Sequence, residues 1–86
     1  MAKFYVFIKC ELGHTYAVGQ ALLQTIAEAV EVASVSGQYD ILAQFVVPDD
    51  VNIGQFVNER VQGITGIRDT YTMIAFTIFD DRFCGF

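Results

Sequence analysis

The sequence predicts an α+β fold, a four-stranded antiparallel sheet carrying two helices on one face. Three observations predict it. Three stretches alternate side chains with period two and are rich in β-branched and aromatic residues, two stretches repeat apolar residues at helical spacing, and the order along the chain is strand, helix, strand, strand, helix, strand. At 86 residues the chain makes one small domain, which buries only roughly 60–65% of its unfolded surface. The expected division is a domain over 1–79 and a tail over 80–86.

The first strand, Lys3 to Cys10, sets Phe4, Val6, Ile8 and Cys10 on one face and Tyr5, Phe7 and Lys9 on the other. "ELGHT" then supplies a turn glycine and Thr15 as the expected helix cap, and the first helix is expected over roughly 16–29, with Val18, Leu22 and Ile26 on its apolar side. Strands return at Val30 to Ser36 and at Asp40 to Val47, joined by the short loop "GQY". Pro48 ends the third strand for want of an amide hydrogen, and Asp49 or Asp50 is expected to cap the second helix. In "VNIGQFVNERVQGI", Ile53, Phe56, Val57, Arg60, Val61 and Ile64 mark one face of that helix, which stops near Gly63. The last strand is expected from Arg68 to Phe79.

This is the split βαβ, or ferredoxin-like, pattern. Its right-handed crossovers place both helices on one face of the sheet and leave the other open. The first and last strands are apolar on both faces, so the open face requires a partner. A sheet-to-sheet homodimer, a dimeric α+β barrel, is the simplest expectation. Hydrophobic residues make up 53% of the chain, a high share for so small a domain.

Composition narrows the function. No apolar run reaches the roughly 18 residues of a membrane span, and Lys9 and Glu11 interrupt the N-terminal stretch before a signal peptide could form, so a cytoplasmic protein is expected. A formal charge of −5 with scattered Lys and Arg argues against direct nucleic-acid binding. One histidine and two distant cysteines, Cys10 and Cys84, make neither a metal motif nor a disulfide scaffold, so no metal or cofactor is expected. Cys10 and His14 lack an orienting third group, "GITG" lacks a phosphate-loop lysine, and the Asp49–Asp50 and Asp80–Asp81 pairs read as solvated charges. The residues give no support to an enzyme.

One constellation remains: the hairpin "VSGQYD" and the strand "RDTYTMIAF". By itself the hairpin reads as a turn whose Asp40 accepts hydrogen bonds from local backbone amides. It also reads as a small polar pocket at the edge of an apolar assembly, with a carboxylate for an ammonium group and threonine hydroxyls beside it.

"VASVSGQYDILAQFVVPD" and "FVNERVQGITGIRDTYTMIAF" resemble the effector-binding half, or RAM domain, of the Lrp/AsnC transcription regulators. The G-x-Y/F-D hairpin and the G-V/I-x-x-T-x-T strand are the most specific marks. The resemblance implies face-to-face dimers that assemble further, commonly into octamers, with an amino acid effector bound at contacts between dimers. Carried over, the ligand-binding candidates are Gly37, Tyr39 and Asp40 in the hairpin, Thr70 and Thr72, then Met73, Ile74 and Ala75 in the same strand, and Asp50 at the start of the second helix. The implied roles are Asp40 for the ammonium, hairpin amides and a threonine hydroxyl for the carboxylate, and apolar side chains of the last strand for the ligand's side chain. Family regulators carry a helix-turn-helix ahead of this domain. Nothing but Met1 to Lys3 stands at that end of the first strand here, so a stand-alone module that senses an amino acid or joins a full-length Lrp/AsnC regulator is expected. The rivals are a cofactor-free monooxygenase-type enzyme of similar fold and a ligand-free assembly module.

Overall fold

A computed structural model describes residues 1–79; the expected tail contacts of Phe83 and Phe86, and Cys84, lie outside the described residues. The elements are β1 (Ala2–Cys10), α1 (Thr15–Thr25), β2 (Ala29–Ser34), β3 (Ile41–Val47), α2 (Ile53–Phe56) continuing into a π-helical turn (Val57–Val61), and β4 (Ile67–Ala75). The four strands form one sheet in the order β2-β3-β1-β4, with every neighbouring pair antiparallel. This is the ferredoxin-like arrangement.

Period-two alternation in β1 and β3 decides where the core lies. Phe4, Val6, Ile8 and Cys10 of β1 and Ile41, Ala43, Phe45 and Val47 of β3 are all buried beneath the helices. Against them pack Val18 and Leu22 of α1, Ile26 just beyond it, and Phe56, Val57 and Val61 of the second helical segment. Phe4 stacks on Phe45 at 5.1 Å, and Phe56 meets both rings edge-on at 5.7 Å. Those edge-to-face contacts add about 0.5–1.5 kcal/mol per pair beyond area burial.

The boundaries differ from expectation for identifiable reasons. Helix α1 stops at Thr25 instead of running to residue 29, because Ile26 turns extended (φ −122°) and Ala29 is already opposite Phe45 in the sheet. His14, not Thr15, occupies the cap position, and no side chain caps that end. The second helix is capped by Asn52, whose Oδ1 accepts from the Gln55 amide at 3.0 Å, and not by Asp49 or Asp50. Its last turn widens: the Gln62 amide donates to the Val57 carbonyl, five residues back. Strand β4 ends at Ala75 instead of Phe79. As an edge strand it pairs only with β1, and that pairing ends with Ala75 opposite Lys3.

The sheet's other face carries Tyr5, Phe7, Leu42, Val46, Tyr71 and Met73 by register. Among the described residues no element covers it, and Tyr71 and Met73 remain 51% and 44% exposed.

Candidate functional site

The β2–β3 hairpin is built around its glycine. Gly37 has φ +103°, a left-handed conformation that a side chain disfavours, and open space surrounds the position of an added Cβ. The loop spans residues 35–40 and is closed by the Val35 amide donating to the Asp40 carbonyl at 2.9 Å. The Asp40 amide in turn donates to the Ile8 carbonyl at 2.8 Å, which extends the β1–β3 ladder into the loop.

The Asp40 carboxylate makes a contact that its sequence position does not announce. Its Oδ2 accepts the backbone N–H of Cys10 at 2.8 Å, across 30 residues of chain. That amide points to the β3 edge of β1, as the Ile8 carbonyl does, and lies beyond the last β1–β3 pair, Ile8 with Ile41. Lys9 opposes Asp69 and Cys10 opposes Ile67, so Arg68 is the extra residue of a β-bulge. Asp40 therefore clasps the hairpin to the end of β1. Beside it the Lys9 ammonium donates to the Gln38 carbonyl at 3.1 Å, a second tie between β1 and the loop. Burial, and after it the Asp40 charge, push the Cys10 thiol above the ordinary thiol range, while a hydrogen bond with Thr15 acts the other way.

Tyr39 lies on the open face. Its ring is 5.6 Å from Phe7 and stacks on Tyr71 at 6.3 Å, with Phe7 and Tyr71 6.1 Å apart. Thr70 lies on the opposite, helix-bearing face, opposite Ile8 in register, where its hydroxyl accepts from Gln62 Nε2 at 2.8 Å. Thr72 and Ile74 share that face, opposite Val6 and Phe4, while Met73 and Ala75 share the open face with Tyr71. Asp50 sits beyond Val47 at the other end of β3 from the hairpin. The seven residues of β3 put about 20 Å of strand between them.

Within one chain, then, Gly37, Tyr39 and Asp40 form one group at the hairpin end and Thr70 lies near them but across the sheet. Thr72, Met73, Ile74 and Ala75 recede towards the far end, and Asp50 lies there. The structure adds Phe7, Tyr71, Gln62 and Arg68 to the neighbourhood. Tyr71 was visible in the sequence as the residue alternating with Met73 and Ala75. Gln62 and Arg68 depend on the π turn and the bulge, which leave no pattern in the chain. Among the described residues, no group of three or more His, Cys, Asp or Glu could hold a metal ion, and no helix is long and apolar enough to cross a membrane.

The hairpin, sheet order and last strand coincide with a known family, whose model, the Lrp/AsnC ligand-binding domain, matches residues 3–83. The chain belongs to the Lrp/AsnC ligand-binding domain family. A crystal structure from Thermus thermophilus is similar over 94% of this chain and 100% of that one, with 26% identity and a TM-score of 0.85. E. coli AsnC is similar over 94% of this chain at 20% identity with a TM-score of 0.81, and this chain spans 54% of its length. The complex of a Neisseria meningitidis transcriptional regulator with L-Met is similar over 93% of this chain, at 14% identity and a TM-score of 0.79, and 53% of that regulator is covered. The last two likenesses are evidence of fold alone. No curated protein matches the chain in sequence.

Proposed function

We propose that this Lrp/AsnC ligand-binding domain senses a free amino acid and transmits its presence through assembly, as a homodimer or larger ring that can include a full-length Lrp/AsnC regulator. The observation that carries this reading is continuity. Tyr39 of the hairpin packs on Phe7 and Tyr71, the first aromatic pair of the uncovered sheet face. A ligand that moves the hairpin therefore moves the edge of the surface on which a second copy would pack. Membership of a ligand-binding family supports effector recognition, and the L-Met complex of a structurally similar regulator supports the amino acid class. Regulation then needs only a ligand that binds one packing of the subunits better than another.

Thermal denaturation against each of the twenty amino acids tests the sensing half of the reading. A ligand at a hundred times its dissociation constant stabilises by about 2.7 kcal/mol. A shift with one or a few amino acids, together with a change in sedimentation, is the expected result. A flat response to all twenty overturns it.

A further inference from the structure

Strand β4 lies on the outer edge of the sheet, and its pairing ends with Ala75 opposite Lys3. The chain then turns inwards. Ile78 lines a cavity of about 450 Å3 whose other walls include Lys3 of β1, Gln44 and Val46 of β3 and Val30 of β2. Lys3, Gln44 and Val46 alternate with the buried residues of their strands, so the cavity opens on the uncovered face, at the end of the sheet away from the hairpin. Val30, which a bulge between Ala29 and Glu31 leaves out of the β2–β3 ladder, joins them there.

The segment 76–79 divides its apolar side chains between two surroundings. Ile78 is half-covered over this cavity, whereas Phe76 and Phe79 on either side of it are 93% and 96% exposed. A single exposed apolar residue is ordinary on a protein surface. Two almost bare phenyl rings within four residues, at the rim of an apolar sheet face and beside a cavity with valine walls, mark a contact surface. A second copy of the chain satisfies the rings and the cavity together. Each copy offers both, and a contact about a two-fold axis is self-complementary. The rings of the two copies would bury about 150–250 Å2 each, together a large part of the roughly 1,200–2,000 Å2 of a stable interface.

We propose that residues 76–79 form an exchanged arm: in the face-to-face dimer, Phe76 and Phe79 of each copy enter the cavity beside Val30 and Val46 of the other. The proposal rests on the homodimer reading given above and names the side chains that seal the pair. The seal stands at the opposite end of the sheet from Tyr39, Phe7 and Tyr71.

The test is a full-length double variant, Phe76→Ser with Phe79→Ser, followed by sedimentation velocity over a dilution series. Both rings are bare within one chain, so the variant should fold as the parent does, checked by its 15N–1H spectrum. Truncating a buried interfacial aromatic weakens association tenfold or more, and the double variant should raise the dimer dissociation constant about a hundredfold. A second measurement mixes 13C-labelled with unlabelled chains. Filtered NOEs should run from the phenyl rings of one copy to the Val30 and Val46 methyls of the other. Should the double variant dimerise as tightly as the parent, or the ring contacts prove to lie within one copy, the arm is wrong and the face-to-face dimer stands. Should the parent itself sediment as a monomer at all concentrations, both fall.

Discussion

At the scale of single residues, Asp40 carries two jobs that the sequence shows as one. Its carboxylate completes the hydrogen bonding of the Cys10 amide, which lies past the end of the β1–β3 ladder. Hydrogen bonds to a charged acceptor contribute about 1.5–3 kcal/mol, so Asp40→Ala should cost about that much in urea unfolding, while Asp40→Asn, which keeps an acceptor, should cost less. An Asp40→Ala protein as stable as the parent would contradict the clasp. Cys10 gives a pH signature. Its thiol is pushed up by burial and then by Asp40, so the folded chain holds the proton after the unfolded chain has released it. The corresponding stability is fully present below the unfolded thiol value, about 8.5, and is lost as pH rises through the folded one. Unfolding free energies measured from pH 7 to 10 should therefore decline more steeply for the parent than for Cys10→Ala. Gly66 is fixed by two constraints at once. Its φ is +99°, and an added Cβ would lie 3.1 Å from Val18 Cγ2 and from His14 Cβ. Strained positions of this kind cost about 1–3 kcal/mol, and Gly66→Ala should lose that much stability.

Among the elements, the strands of the sheet's centre were the most legible. The alternation of Phe4, Val6, Ile8 and Cys10 with Tyr5, Phe7 and Lys9 is the pattern of a half-buried strand, and β1 and β3 bury the residues it selects. Helix ends were less so, because capping depends on which polar side chain reaches the free amides. The sequence offers Asp49 or Asp50, and the geometry after Pro48 selects Asn52 instead. Asn52→Ala should lower stability by about 0.5–2 kcal/mol, measured by chemical denaturation, whereas Asp50→Ala should leave the helix end intact. The π turn at Val57–Val61 preserves the buried positions of Val57 and Val61, so the apolar spacing that marks a helix survives it. That is why a periodicity reading sees one regular helix. Strand β4 is shorter than its alternation for a related reason: Thr77 and Phe79 continue the pattern, but an edge strand extends only as far as its single neighbour.

For the whole molecule, the decisive feature is the uncovered sheet face. Its centre is Phe7, Leu42, Tyr71 and Met73, flanked by Tyr39 from the hairpin. An apolar surface of this extent in so small a protein predicts association, and a charge at its middle should oppose it through desolvation. Tyr71→Glu is expected to shift the sedimenting species towards the monomer without unfolding it, since Tyr71 is half-exposed within one chain. Unchanged mass in sedimentation velocity would show that the face is not the interface.

By itself the sequence determined the order of elements, the residues of the core and the family, because period-two and helical spacing, glycine positions and the G-x-Y-D hairpin are properties of the chain read locally. Only the tertiary structure decided what the site residues touch. It set Tyr39 and Thr70 on opposite faces of one sheet, put Asp50 at its far end, and brought Asp40 to Cys10 and Gln62 to Thr70. Those outcomes depend on strand register, on one bulged residue and on one widened helical turn. Each is a choice between backbone arrangements of nearly equal local energy, and packing between distant segments makes the choice.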